Sequence, residues 1–324
     1  MRRDQRIFFP SLALPEGEDT WQITIHAWCF RLHTRRLVIP MVRRVLRYDR
    51  AALTPLQRQT FAERARWMFV DNKRGRSIVV AAGGRIHRLG RTKASGHLRA
   101  RLLVTLPAQP PSNFIVTAMW RDAPSQSVEV HFLAAEGLSI ISDIDDTIRV
   151  SNVANRAALL RGTFVEPFEA VPRMAERYQQ WVRCGAQLHY VSATPWQLYV
   201  PIASFLDAHG FPKGTFHLKD FRWRDRTLFS LFGSAARFKR SRLESLLKRL
   251  PRRQFALVGD SGQRDPEVFG DLARRYSRQV RWIFIREISG SIQSDRYRAA
   301  FAGVEPHVWR VFSDAATLPA RLTM

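Results

Sequence analysis

Cysteine is nearly absent: Cys29 and Cys184 are the only two in 324 residues. That excludes a disulfide framework, a thiolate zinc cluster and an iron–sulfur centre. No run of 18 apolar residues occurs, which argues against a spanning helix. The N-terminal stretch has a basic start and a short apolar run, but Pro10 and Pro15 interrupt it and acidic residues follow. It fits a secretory signal poorly, so a cytoplasmic location is expected. Acidic residues are scarce too: 28 Asp and Glu stand against 52 Lys and Arg, a formal net charge of +24. Both halves of the chain share this excess, so the charge is not that of a basic tail. It attracts polyanions, either nucleic acid or an anionic lipid surface, and composition does not choose between them. Arg-rich composition by itself accounts for the charge equally well. What is plentiful is apolar material, 45% of the chain. That share rules out wholesale disorder, and the length suits about two domains.

The chain reads as two regions, 1–135 and 136–324. Between Trp21 and about Leu133, short segments rich in β-branched and aromatic residues alternate with polar, Gly or Pro stretches. TWQITIHAWCF, RRLVIPMVRRVL, RSIVVAAG, HLRARLLVT, NFIVTAMW and QSVEVHFLA predict a smaller β-rich, sandwich-like N-terminal domain. One segment, Pro55 to Met68, has helical spacing in Leu56, Phe61, Ala65 and Met68. His26 and His33 read as surface or strand-edge residues, because no third ligand accompanies them.

From about Glu136 the rhythm changes to apolar strands alternating with helices. GLSIIS, AQLHYVSA, QFALVGDS and VRWIFIREI read as strands; PRMAERYQQWVRC, WQLYVPIASFLDAHG, AARFKRSRLESLLKRL and DPEVFGDLARRY read as helices. This pattern predicts an α/β fold, a parallel sheet with helices on both faces. In such sheets ligands sit at the carboxyl ends of the strands, where this sequence keeps its polar residues.

The first of these strands ends Ser142-Asp143-Ile144-Asp145-Asp146-Thr147. Alternation points Asp143 and Asp145 to one side. Two carboxylates forced together resist ionisation unless a cation joins them, and an oxygen-only set suits Mg²⁺ with a substrate phosphate. Three later positions agree. Ser192 ends LHYVS with a hydroxyl suited to a phosphoryl oxygen, Asp260 ends QFALVGD, and Asp265 follows five residues on. Lys239, on the basic helix, is placed to neutralise a phosphoryl group. Each has an ordinary reading: a buried serine, one cation among Arg237, Arg240, Arg242 and Lys248, a helix-capping aspartate. Their common order on successive strand ends carries the argument.

This ordered set resembles the haloacid-dehalogenase-like (HAD) superfamily of phosphotransferases. ISDIDDTIRVSNV, YVSATPWQLY and ALVGDSGQRDPEVF resemble the actin-patch-protein type of phosphatidate phosphatase, related to the lipin catalytic domain, over about residues 136–290. The resemblance implies a HAD-like Rossmannoid sheet. It implies Asp143 as nucleophile forming an aspartyl-phosphate and Asp145 as general acid and then base. It implies Mg²⁺ held by Asp143, the Asp145 carbonyl and Asp260, with Asp265 coordinating or next to the ion. Ser192 and Lys239 would hold the phosphoryl oxygens, and Thr147 would buttress the loop. Phe238 stands where the family is expected to have His, which leaves Lys219 in FHLKD as a second candidate lysine. Asp146 acquires no role beyond local hydrogen bonding.

Three functions follow as expectations. The first is a phosphatidate phosphatase working at a membrane surface. The second is the same chemistry on nucleic-acid ends or soluble phosphomonoesters. The third is a phosphatidate-binding module without catalysis, against which the complete acidic set argues. The stretch DFRWRDRTLFSLFGSAARFKR interleaves Phe221, Trp223, Phe229 and Phe232 with Arg222, Arg224 and Arg226 and suits a lipid interface, though a solvated loop with core aromatics reads the same way. Trp196 and Tyr199 read as helix-packing residues.

Overall fold

The computed structural model describes residues 4–32, 53–107, 109–110, 114–120, 125–152, 156–220, 235–288 and 294–323. The expected strand RRLVIPMVRRVL, His33 and the aromatic–arginine stretch from Phe221 to Phe232 lie outside the described residues. The described residues form two compact units, one built on 4–32 and 69–135, the other on 53–68, 136–213 and 217–323.

In the first unit the strands are β1 (Gln5–Pro15), β2 (Thr20–Leu32), β3 (Val70–Asn72), β4 (Ser77–Ala82), β5 (Arg85–Arg91), β6 (His97–Thr105), β7 (Val116–Met119), β8 (Gln126–Val128) and β9 (Val130–Phe132). One sheet runs β3-β2-β1-β9, with β6 also paired to β2; the other runs β5-β4-β7-β8. Alternation along β2 turns Trp21, Ile23, Ile25, Ala27 and Cys29 to one side. There they pack against Ile78, Val80 and Ala82 of β4, Val116 and Ala118 of β7, and Leu98, Leu102 and Val104 of β6. These side chains form one apolar cluster drawn from both sheets, as a sandwich requires. His26 corrects its expectation: it is buried, not at the surface. Its Nε2 lies 3.0 Å from His97 Nδ1, and the His97 ring stacks on Trp28 at 5.3 Å. The two imidazoles come from positions 71 apart and meet because β2 and β6 pair.

The second unit contains helix α1 (Pro55–Met68) and the strands β10 (Gly137–Ser142), β11 (Arg149–Val150) and β12 (Glu169–Ala170). Helices α2 (Arg156–Phe164) and α3 (Met174–Arg183) flank β12 in sequence. β13 (Gln187–Pro195), α4 (Tyr199–Ala208), β14 (Thr215–Lys219), α5 (Ala235–Arg249), β15 (Arg253–Asp260), α6 (Asp265–Arg275), β16 (Val280–Arg286), α7 (Ser294–Ala300) and β17 (Trp309–Phe312) follow. Although strands flank α1 in sequence, it packs in this second unit. Arg64 donates to the carbonyls of Gly162, Thr163 and Glu166 at 3.3, 3.1 and 2.7 Å.

The main sheet has the order β14-β13-β10-β15-β16-β17. β10 is parallel to both β13 and β15, and β15–β16 and β16–β17 are parallel as well. The chain steps outward from β10 to β13 and β14, then resumes on the other side of β10 at β15. Right-handed crossovers therefore set α3 and α4 on one face and α5 and α6 on the other. The reversal falls between β10 and β15, the crevice where parallel sheets bind ligands. Among the described residues no helix is long and apolar enough to cross a membrane.

Candidate active site

β10 is buried from Leu138 through Ser142 because a strand lies on each side of it. Where it ends, the Asp143 N–H donates to the Val258 carbonyl of β15 at 2.9 Å, which pins the following loop to its neighbour. The Ile144 carbonyl accepts from the N–H groups of Ile148 and Arg149, both at 3.0 Å. Asp146 makes the turn at φ 54°, a left-handed conformation that Asp and Asn tolerate best. Its Oδ1 accepts from Ser151 N at 2.7 Å and Asn152 N at 2.8 Å, and its carbonyl accepts from Arg286 at 2.7 Å. Asp146 is thus the residue that closes the loop. Thr147 is fully buried, but its Oγ1 has no hydrogen-bond partner among the described residues, so no side-chain buttress is seen.

Of the seven expected positions, Asp143, Lys239, Asp260 and Asp265 bring their polar atoms together at the β10–β15 crevice, and Asp145 meets Ser192 on the β13 side. Lys239 reaches in from α5 and is buried; its Nζ lies 3.0 Å from Asp143 Oδ2 and 2.6 Å from Asp265 Oδ1. Asp260 ends β15, and Oδ1 of its side chain accepts from Gly262 N at 2.7 Å, turning the chain toward α6. The Asp260 N–H in turn meets Asp265 Oδ2 at 3.3 Å. Gly259 permits this approach, since a Cβ there would sit 2.5 Å from Asp265 Oδ2. Lys219, at the end of β14, is separated from β10 by β13, and it is Lys239 that forms the ion pair with Asp143.

Carboxylate oxygens of Asp143, Asp260 and Asp265 lie within 4.8 Å of one another. Asp143 Oδ1 and Asp260 Oδ2 are buried without a hydrogen-bond partner among the described residues. Orphaned carboxylate oxygens in an all-oxygen set match the ligand preference of a hard divalent cation. Electrostatics point the same way. Burial pushes the Asp143 carboxyl well above the usual range; Lys239 opposes this, while Asp265, Asp260 and Asp145 add to it. Burial, then repulsion from Asp265, push Asp260 up to about 7. Lys239 stays charged: burial works against it, but the carboxylates of Asp143, Asp265 and Asp260 raise its pKa above the ordinary lysine range. One ammonium does not neutralise this cluster.

Asp145 has a different neighbourhood. Its Oδ1 forms an ion pair with the buried guanidinium of Arg149 and accepts from Ser151 Oγ at 2.8 Å. Its Oδ2 lies 3.1 Å from Ser192 Oγ and 2.9 Å from Thr194 Oγ1. Burial raises this carboxyl, but Arg149 and the hydroxyl donors outweigh burial and hold it at about 2. As it stands Asp145 is a carboxylate, a base rather than an acid. Arg149, Ser151 and Thr194 were not singled out from sequence. Thr194 carried a signal, since alternation puts it beside Ser192. The guanidinium of Arg149 also lies over the Phe168 ring at 4.3 Å. Trp196 is buried in a short 3₁₀ turn and contacts Tyr199 at 6.4 Å between ring centroids, a packing role. A cavity of about 720 Å³ opens above Asp143, Asp145, Ser192 and Lys239. Apolar Leu159 and Val268 line it together with Arg237, Arg240 and Arg264.

Residues 138–287 match the family model described as phosphatidate phosphatase APP1, catalytic domain. Phosphatidate phosphatase APP1 of Saccharomyces cerevisiae is 30% identical over 185 residues, covering 53% of this chain and 29% of that protein. An uncharacterized protein of Schizosaccharomyces pombe is 29% identical over 164 residues, covering 49% of this chain and 27% of its own length. The chain therefore aligns with less than a third of either relative. A solved carbohydrate esterase structure aligns over 95% of this chain and 88% of its own at 11% identity, but its TM-score of 0.20 carries no argument.

Proposed function

We propose, from the match of residues 138–287 to the phosphatidate phosphatase APP1 catalytic-domain model, that this chain is a HAD-type, Mg²⁺-dependent phosphatase that hydrolyses phosphatidate to diacylglycerol and inorganic phosphate. One observation carries the reading: Asp143, buried beneath an open cavity, shares Lys239 with Asp265 and leaves an oxygen unpartnered toward Asp260.

Asp143 attacks phosphorus in line, forming a carboxyl–phosphate bond as the bond to the diacylglycerol oxygen breaks. Lys239 and the Ser192 hydroxyl meet the phosphoryl oxygens. The dianionic phosphate of the arriving substrate adds its repulsion to Asp145, so that Asp145 takes up a proton from solvent as substrate binds and then delivers it to the leaving alkoxide. Once that proton is given up, Arg149, Ser151 and Thr194 again hold Asp145 as a carboxylate. In that state it takes a proton from the water that cleaves the aspartyl-phosphate, which restores Asp143 and releases phosphate. Asp143, Asp260 and the Asp145 carbonyl would hold Mg²⁺, with Asp265 at its edge. When bound, the ion supplies charge neutralisation for the phosphoryl oxygens and the crowded carboxylates. The lipid substrate would bring the enzyme to a membrane surface.

The test is phosphate release from phosphatidate in mixed micelles, beside a soluble phosphomonoester and a 3′-phosphorylated oligonucleotide, with and without Mg²⁺. Release from phosphatidate that needs Mg²⁺ and exceeds the other two supports the reading. Preferential release from the oligonucleotide, or Mg²⁺-independent release, overturns it.

A further inference from the structure

The first unit carries a surface that the phosphatase reading does not use. Between Lys73 and Trp120 the chain contains no Asp or Glu, while Arg85, Arg88 and Arg91 alone bring three cations to β5. β5 is the edge strand of its sheet. Its neighbour β4 turns Ile78, Val80 and Ala82 into the core, so Ser77, Val79 and Ala81 face outward. The register sets Arg91 opposite Ser77, Arg88 opposite Val79 and Ile86 opposite Ala81, which brings these β5 side chains onto the same outer face. β7 continues it, with Met119 opposite Val79 on the other side.

Two properties of this face decide what it fits. Arg88 and Arg91 are exposed, and neither has an acidic partner among the described residues; Arg85, opposite the core-facing Ala82, lies off this face. Beside them Ile86 is 65% exposed, Met119 37%, and Ile115, just before β7, 57%. A solvated sheet face normally carries polar residues at such positions. Here bare aliphatic side chains stand among unpaired guanidiniums.

We propose that the outer face of the β5-β4-β7 sheet is a docking surface for an anionic phospholipid bilayer. The aliphatic side chains enter the headgroup–acyl boundary while the arginines bind lipid phosphates, the division of labour of an interfacial anchor. Nucleic acid shares the charge preference but not the rest. Its phosphates could meet the same arginines, but its hydrated backbone offers nothing that buries the three exposed large apolar side chains of this face, Ile86, Ile115 and Met119. The proposal does not depend on the phosphatase reading, because binding is read without turnover.

The full chain is floated with vesicles of phosphatidylcholine alone and of phosphatidylcholine mixed with phosphatidylglycerol. Binding is expected only to the anionic vesicles. The combined substitution Arg88→Gln and Arg91→Gln should weaken it by about twenty-five-fold, at roughly fivefold per cation. Ile86→Ser with Met119→Ser should weaken it severalfold at unchanged charge. The control is Arg99→Gln with Arg101→Gln, two exposed β6 cations outside the β5-β4-β7-β8 sheet, which should leave most binding in place. Unchanged circular dichroism and denaturation midpoints establish that the variants are folded. Absence of wild-type binding, or equal loss per charge in test and control, overturns the proposal. So does retained vesicle binding in the β5 variant alongside lost binding to a duplex oligonucleotide.

Discussion

The two units solve opposite problems with the same basic sequence. The β-rich unit draws an apolar cluster from both of its sheets and, among the described residues, buries no Asp, Glu, Lys or Arg. The α/β unit buries Asp143, Asp145, Lys239, Asp260 and Asp265 at the centre of its sheet edge. Burying such charges is costly even when they are paired, and Asp143 Oδ1 and Asp260 Oδ2 have no hydrogen-bond partner among the described residues. A fold gains nothing in stability from that arrangement. The contrast separates residues that hold the chain together from residues held ready for chemistry, and the separation can be tested by substitution.

The largest effect is expected at Asp143. Asp143→Asn keeps the shape but removes the proposed nucleophile, so phosphate release should fall by about a thousandfold or more. The folded state should lose nothing and should gain, because a carboxyl raised by burial and by its acidic neighbours no longer needs to ionise. Phosphate release and urea denaturation on one preparation check both halves. A destabilised but active variant would reverse the comparison. The mirror experiment lies in the sandwich. Ile25 is fully buried in β2, and Ile25→Ala removes methyl groups from a core that closes incompletely around the gap. Denaturation should show a loss of about 2–5 kcal/mol with kcat unchanged. A fall in kcat without a loss of stability would show that the two units do not divide the labour in this way.

How much of this was legible beforehand follows from the same contrast. The acidic set was readable because its members follow a strand, end one or open a helix: Asp143 after β10, Asp260 at the end of β15, Asp265 opening α6; Ser192, expected to end its strand, instead lies within β13, which runs on to Pro195. Parallel sheets gather such ends in one place, so local motifs translate directly into proximity. Lys239 was readable only as one of two lysines, and its ion pair with Asp143 distinguishes it. Arg149 stayed hidden because its contact with Asp145 depends on a loop that turns at the left-handed Asp146, a geometry with no periodicity to read. The His26–His97 pair stayed hidden for a different reason: it depends on the pairing of β2 with β6 across 71 positions, which no local pattern encodes. Likewise α1 was visible as a helix, but its membership of the second unit rests on contacts such as Arg64 with Glu166.

The smallest expected effect is the most discriminating about the buried charges. In the folded protein without a divalent ion, Asp260 keeps its proton up to about pH 7, whereas in the unfolded chain it ionises near 4. The folded state therefore binds more protons than the unfolded state between those values, and stability falls as pH rises through that window. Asp143, raised in the same direction, adds to the slope. Asp145 acts oppositely, since its lowered carboxyl contributes stability above about pH 4 that is lost only as pH drops toward 2. From about pH 5 to 8 the raised pair governs, and the thermal midpoint of the metal-free protein should decline by a few degrees. Mg²⁺ should restore more of it at the upper end of that range, where the carboxylates are ionised and a cation has most to neutralise. Thermal scans at several pH values, with chelator or with Mg²⁺, read this directly. Substituting Asp260→Asn should flatten the pH slope and weaken the Mg²⁺ response together, whereas Ile25→Ala should lower every midpoint while leaving both in place. A slope that survives Asp260→Asn would move the origin of the pH dependence out of the acidic cluster and deny it the role of cation site.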